Sequence, residues 1–343
     1  MPESSDRGRS KRRWRRPSVY DVARQAGVSH MTVSRVLNDQ PNIRDATRDR
    51  VLNAIEELNY TRNNIAHALA TRTGRRIGVL VDAPIENGPN NTLRALEQAA
   101  RTAGYAVSAF GIDDGDAQIR SGVMELATQG IDALCVIAPR ASSLDALREQ
   151  PTGLPVVVIK SEADAMWHTV GVDQRAGARL AVEHLLGLGH VSLVHLAGPQ
   201  DWLDARERQQ AWQDTLRDAS GVRGTAVVGE WTSDSGYQYA STAEWGDVTA
   251  VFAANDQIAL GVIHGLAERG IRVPEDISVV GFDDLSEAKH FSPPLTTVRQ
   301  DFDALGERAL ECIVAAINGS DDLSHSLVRP SLIVRESTAA VPS

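Results

Sequence analysis

Cysteine is scarce in this 343-residue chain: there are 2, Cys135 and Cys312, each inside an apolar run (ALCVIA and LECIVAA). So few thiols exclude a disulfide-stapled scaffold, and neither has metal-ligand spacing; both read as buried and reduced. No stretch approaches the ~18 consecutive apolar residues of a membrane span. The N-terminus is too basic and too polar for a signal peptide, so a cytoplasmic protein is expected. Catalytic signatures are missing too. The 9 histidines are scattered, and no H-E-x-x-H, C-x-x-C, G-x-S-x-G or P-loop occurs. The strand-to-helix junctions lack G-x-G-x-x-G, which disfavours a dinucleotide enzyme. Neither catalysis nor a metal or other cofactor is expected.

The charge present is unevenly spread. The net charge is −10, but residues 1–76 carry 16 Lys+Arg against 8 Asp+Glu, a surplus of +8. The other 267 residues carry 19 against 37, or −18. A basic head on an acidic body suggests a head that meets phosphate and a body that does not. Residues 1–16 (MPESSDRGRSKRRWRR) lack periodicity and read as a disordered basic arm. That arm adds non-specific attraction to DNA, or is a solvated charge run with no partner.

Ser18 to Asn38, SVYDVARQAGVSHMTVSRVLN, predicts two short helices joined by a tight turn. Ser18 and Asp21 have the S-x-x-D form of a capping box. Val19, Val22, Ala23 and Ala26 fall on one helical face, and Gly27 stands where positive φ is needed. Ser29 can cap the second helix, whose Val33, Val36 and Leu37 point inward. His30, Met31, Thr32, Ser34, Arg35 and Asn38 are left outside, with groups that can read a major-groove edge. An ordinary helical hairpin with a polar face is the plainer alternative. A third helix is expected from Thr47 to Asn59, with Val51, Leu52, Ile55 and Leu58 inward.

From Arg76 the pattern alternates between strand and helix. Runs such as IGVLVDA, ALCVIA, LPVVVIK, AVFAAND and ISVVGFDD are separated by TLRALEQAARTAG, AGARLAVEHLLGLGH and QIALGVIHGLAERG. Near-continuous apolar strands with helical crossovers indicate parallel sheets covered on both faces. Two such sheets suggest two lobes, with small ligands in the cleft beyond the strand C-termini. Asn255, Asp256, Asp283 and Asp284 stand at strand ends, and Arg208 could supply a fork of donors. Trp231 and Phe302 offer flat apolar faces to a sugar ring. Helix capping by Asp256, Asp284 and Asp173, and core packing by Phe302, are the plain explanations.

YDVARQAGVSHMTVSRVLN resembles the helix-turn-helix opening of the LacI/GalR family of bacterial repressors. The likeness continues through AGPQDWLDARER, FAANDQIALG and VVGFDDLSEAKHFSPPLTTVRQDF. It is strongest to the lac branch of the family. The resemblance implies an all-α helix-turn-helix headpiece and hinge helix, followed by a two-lobed α/β core resembling the periplasmic-binding-protein fold. The expected divisions are an arm (1–16), a headpiece (17–62), a hinge helix (63–75), a first lobe (76–172 and 300–328) and a second lobe (173–299 and 329–338). Implied DNA contacts are Ser18, Tyr20, Ser29, His30, Met31, Thr32, Ser34, Arg35 and Asn38, with Asn63, Ala66 and Leu69 in the hinge. Leu69 falls on the family's minor-groove wedge; a plain linker is the alternative for this short segment, too short for a stable isolated helix. The implied effector contacts are Arg208, Trp231, Asn255, Asp283 and Phe302.

Three features depart from the lac branch. Lys160 replaces a pocket aspartate, and an ammonium donates where a carboxylate accepts. Trp202 and Asp204 replace smaller residues at the rim. His30–Met31 replaces a tyrosine–glutamine pair, so Met31 can touch a thymine methyl but cannot hold adenine bidentately. The chain stops at Ser343 without a leucine-rich C-terminal helix, so a homodimer on a pseudo-palindromic operator is expected. The resulting expectation is a cytoplasmic, nucleoid-associated repressor released from DNA by a small sugar, a galactoside among the candidates. Alternatives are a corepressor-dependent regulator of the same family and a solute-binding protein.

Overall fold

The computed structural model describes residues 17–37, 43–58, 74–83, 86–112, 116–137, 140–320 and 323–341. The expected arm, Asn38, and the hinge positions Asn63, Ala66 and Leu69 lie outside the described residues. The chain divides into two compact units between residues 73 and 74.

In the first unit, α1 (Val19–Ala26), α2 (His30–Leu37) and α3 (Asp45–Glu57) close a small core. The capping box is complete: the Asp21 amide donates to Ser18 Oγ, and the Ser18 amide donates to Asp21 Oδ2 at 2.9 Å. Such a cap is worth ~1 kcal/mol. Gly27 ends α1 at φ 63, where its amide reaches the carbonyls of Ala23 and Arg24. A Cβ there would meet nothing within 4 Å, so the requirement is for left-handed backbone and not for space. The core is Val22, Ala23, Ala26, Val33, Val36, Val51 and Ala54. Leu52, expected inward, is instead 49% exposed. At 3.6 residues per turn Val51, Ala54 and Leu58 share a face, and Leu52 lies about 100° round from Val51.

The second unit holds two six-stranded sheets. The first lobe contains β1 (Arg76–Asp82), α4 (Asn87–Thr102), β2 (Ala106–Ile112), α5 (Asp116–Thr128), β3 (Ala133–Ile137), α6 (Ala141–Arg148), β4 (Val156–Ile159) and β5 (His168–Val172). The second contains α7 (Gln174–Gly187), β6 (Ser192–Ala197), α8 (Leu203–Asp218), β7 (Arg223–Val228), α9 (Ser233–Thr242), β8 (Ala250–Ala253), α10 (Asp256–Glu268), β9 (Ser278–Asp283) and β10 (Thr296–Arg299). Then α11 (Phe302–Ile317) and β11 (His325–Val328) return to the first lobe, and β12 (Ser331–Ile333) joins the second. The strand orders are β11-β5-β4-β3-β1-β2, all parallel, and β12-β10-β9-β8-β6-β7, parallel except for antiparallel β12. The chain therefore passes between sheets three times, at Val172–Gln174, Arg299–Phe302 and Val328–Ser331.

Alternation along each strand feeds opposite faces. Val79 and Val81 pack with Leu96, Leu305 and Ile313, whereas Leu80 packs with Leu126, Leu144 and Leu147. In the second sheet Val251 and Ala253 meet Ile258 and Val262, while Ala250 and Phe252 meet Val182, Ala211 and Trp212. Each fully buried Val, Leu or Phe contributes ~1.5–3 kcal/mol. Cys135 and Cys312 are buried and free.

Candidate functional site: a polar cleft and an exposed helix face

In the headpiece, Tyr20 is 61% and Met31 63% exposed. Ser29, His30, Ser34 and Arg35 are also exposed, and Ser18 and Thr32 are half-buried. Ser29 Oγ accepts from the Thr32 amide at 3.1 Å, fixing the start of α2. The Tyr20 and His30 rings lie 5.1 Å apart, tilted. Two large apolar side chains kept in water beside hydrogen-bonding groups make a surface suited to base edges and thymine methyls.

In the core, the C-terminal ends of the parallel strands converge on a cleft of about 750 Å³, open to solvent. Lys160, Arg208, Trp231, Asn255, Asp283 and Phe302 all line it, so the structure brings together the six positions that the family resemblance picked out. All but Arg208, which sits in the second turn of α8, follow a strand or open a helix, the region where a parallel sheet leaves groups exposed.

Arg208 is buried on α8. Its Nε donates to Gln174 Oε1 at 2.9 Å, its Nη1 donates to the Ala254 carbonyl, and its Nη2 lies 3.7 Å from Asp283 Oδ1. The guanidinium sits 3.7 Å over the Phe282 ring centroid. Asp283 accepts from Gln300 Nε2 at 2.7 Å and from Asn87 Nδ2 at 3.2 Å. Gln174 Nε2 donates both to Asp204 Oδ2 (3.1 Å) and to Gln300 Oε1 (2.9 Å). Burial holds the carboxyls of Asp204 and Asp283 above the usual range, opposed by Arg208.

Gln174, Gln300 and Asn87 were not picked out from sequence. Their only signal is position: each is the polar residue at a strand-to-helix junction, GVDQ and TVRQD for the glutamines.

The capping explanation divides. Asp173 does cap α7, accepting from the Ala176 amide. Asn255, and not Asp256, caps α10, accepting from the Ile258 amide at 2.8 Å while donating to the Trp231 carbonyl at 3.0 Å. Asp256 accepts from Thr297 Oγ1 (2.6 Å) and the Leu285 amide (2.7 Å). Its burial and the neighbouring Asp283 push it up to about 8. Asp284 caps nothing; it pairs with Arg299 and Arg335, each at 2.6 Å.

Trp231 presses on Gly198, where an added Cβ would sit 2.4 Å from the ring. It meets Trp202 edge-on at 5.4 Å. Trp231 Nε1 and Ser161 Oγ are buried without a hydrogen-bond partner among the described residues, and both residues line the cleft.

Lys160 is closed off by Asp164, Nζ to Oδ2 2.8 Å, with side chains 5% and 4% exposed. Arg148 reaches the same oxygen at 3.0 Å. Burial raises the Asp164 carboxyl, but the bonds from Lys160 and the Met166 amide and the charges of Lys160 and Arg148 outweigh it and leave the group low.

The lobes also touch at the rim. Arg140 supplies no side-chain cap to α6; the cap comes from the other lobe. The Asp201 carbonyl accepts from the Ala141 amide at 2.9 Å, and its carboxylate accepts from Ser142 Oγ (2.6 Å) and the Ser142 amide (3.3 Å). Among the described residues no group of three or more His, Cys, Asp or Glu could hold a metal, and no helix is long and apolar enough to cross a membrane.

Known proteins share both units. Residues 18–63 match the family described as bacterial regulatory proteins, lacI family, and residues 182–338 match a periplasmic binding protein-like domain. The lactose operon repressor of Escherichia coli (strain K12) is 33% identical over 328 residues, covering 94% of this chain and 91% of its own. The HTH-type transcriptional repressor PurR of Haemophilus influenzae (strain PittEE) is 29% identical over 334 residues, 94% of this chain and 99% of its own. A crystal structure of the lac repressor dimer bound to operator and the anti-inducer ONPF superposes with a TM-score of 0.84 at 32% identity, over 95% of this chain and 100% of that one. A transcriptional regulator CelR–cellobiose complex superposes at 0.70 with 29% identity, over 94% and 100%. These relatives are regulators, not enzymes, and the chain belongs to the lacI family of bacterial regulatory proteins, DNA-binding transcriptional repressors with a ligand-binding core.

Proposed function

We propose that the protein is a homodimeric, cytoplasmic repressor of sugar-utilisation genes, released from its operator when a small sugar occupies the cleft. The carrying observation is the cleft itself: Arg208, Asn255 and Asp283 stand with Trp231 and Phe302 in one cavity. Amide and carboxylate groups exchange hydrogen bonds with hydroxyls, and flat rings cover the C–H face of a sugar. The likeness to a lac repressor dimer on operator and to a cellobiose-bound regulator supports the same reading.

On the DNA side, Ser18, Tyr20, Ser29, His30, Met31, Thr32, Ser34 and Arg35 form the reading surface, with Arg35 on a guanine. Asn38 and the hinge contacts Asn63, Ala66 and Leu69 complete it. Two headpieces suit two half-sites of a pseudo-palindrome. The ligand acts by binding one lobe arrangement better than the other.

The test is selection of an operator from random duplexes by the full chain, followed by gel shift with and without sugars. A selected palindromic site from which a sugar releases the protein is the expected result. A ligand that tightens binding would make the protein corepressor-dependent, and failure to select any sequence would overturn the reading. Arg35→Ala is expected to weaken operator binding by roughly 10- to 100-fold, as loss of a bidentate base contact does, while salt-sensitive non-specific binding persists.

A further inference from the structure

Two cations line the cleft, and both are engaged. Lys160 gives its charge to Asp164 at 2.8 Å, an oxygen that Arg148 also holds. Arg208 directs Nε, Nη1 and Nη2 to Gln174, the Ala254 carbonyl and Asp283. Against them stand Glu86, Asp204 and Asp283 in the lining. Glu230 adds to these: its charge, after burial, is what holds the Glu86 carboxyl above its ordinary range. An anion entering here would find carboxylates with no uncommitted cation among the described lining residues.

Among the described lining residues, the buried donors without partners are neutral. Trp231 Nε1 is buried and unpartnered on a side chain only 9% exposed, and Ser161 Oγ is unpartnered as well. Acceptors are in surplus: Asp204 accepts one hydrogen bond among the described residues, from Gln174. Neutral donors beside carboxylate acceptors match hydroxyls, which both give and take protons.

We propose that the cleft takes an uncharged or amine-bearing polyhydroxy ligand and rejects sugar acids and sugar phosphates, with Asp204 setting that discrimination. This rests on the reading of the cleft as a sugar site. Asp283 already receives Gln300, Asn87 and Arg208, whereas Asp204 keeps acceptor capacity turned to the cavity. A sugar hydroxyl satisfies it; a uronate carboxylate in the same place sets one carboxylate against another at short range.

The experiment is calorimetric titration of the full chain with the neutral, 2-amino, uronate and 6-phosphate forms of galactose and glucose. The neutral and amino forms are expected to bind, and the anionic forms to bind about 10-fold or more weakly, the factor of one lost unit of charge stabilisation. D204N is expected to shrink that gap by strengthening the anionic forms, with operator binding as the check that it folds. A uronate or phosphate that binds wild type as well as the neutral sugar overturns the proposal. So does an undiminished gap in folded D204N. Should D204N not fold, the wild-type series decides alone. No heat with any of the eight sugars would overturn the sugar reading itself, a result distinct from tight binding by an anion.

Discussion

The two walls of the cleft are built on sheets of the same size and direction, yet they differ in kind. The wall from the first lobe is largely apolar, with Ile137, Ile159, Phe302 and Leu305, and its one cation is closed off by Asp164. The wall from the second lobe is a buried polar lattice: Arg208, Gln174, Asp204, Gln300 and Asp283 hold one another in place before any ligand arrives. Preassembled groups save a ligand the entropy of ordering them. The difference shows that recognition can be concentrated on one lobe, while the other supplies cover and a few contacts across.

The sharpest way to separate the lobes is acid. His195, in the centre of β6, is stacked between Phe252 and Trp212 and donates Nδ1–H to the Phe252 carbonyl at 2.9 Å. Burial lowers it from 6.5 to about 4. The unfolded chain therefore takes up a proton that the folded one refuses between those values, so stability is lost as pH falls from 6.5 to 4. That difference is worth about 3 kcal/mol. Asp256 on α10, pushed up to about 8, works the opposite way over that window, so the His195 share is read as a difference: β6 and β8 are expected to lose more hydrogen-exchange protection on acidification in wild type than in His195→Gln. Equal acid sensitivity of β6 and β8 in wild type and in His195→Gln would remove His195 from the account.

Next comes Asp283→Asn. It takes from buried Arg208 the carboxylate 3.7 Å away, leaving it only the fields of Asp204 and Asp256, and loss of one member of a buried charge pair costs about 2–3 kcal/mol or more. Effector affinity is expected to fall roughly 30- to 100-fold, with operator affinity within about twofold of wild type. Calorimetry and gel shift measure the two separately. Wild-type effector binding would mean the polar lattice is structural only.

The smallest effect belongs to the rim. Asp201→Ala removes the cap that one lobe lends to α6 of the other, worth ~1 kcal/mol. A fivefold loss of effector affinity is expected, with little change in the melting of either lobe. A lowered melting temperature with unchanged affinity would make Asp201 a local stabiliser.

The fold class was legible because apolar strands and capped helices announce themselves. Val156–Ile159 and Ala250–Ala253 are uninterrupted apolar runs, and Ser18–Asp21 marks a helix start. The strands His168–Val172 and Thr296–Arg299 went unnoticed, because buried Thr169, Thr296 and Thr297 occupy positions that a periodicity search expects to be apolar. Thr169 and Thr297 are satisfied by hydrogen bonds to His325 and Asp256 that only the fold creates. The cleft was half legible. Its aromatic and charged members lie in segments with a family likeness, but lone glutamines carry no pattern. Nor does sequence pair Lys160 with Asp164, since an i,i+4 contact is foreseen on a helix and these two lie in a loop.

Gln174 and Gln300 each stand within two residues of a passage between lobes. The groups that would greet a ligand are thus fastened to the swivel itself. On the proposed reading, a ligand hydroxyl that binds Asp204 or Asp283 bears on a glutamine at a crossing between lobes, which ties occupancy to how the lobes sit. Moving a two-state population from 1:99 to 99:1 takes about 5.5 kcal/mol of preference. Hydrogen bonds of about 1 kcal/mol each reach that sum by acting together, and two pivots joined by one amide-to-amide bond are placed to turn together.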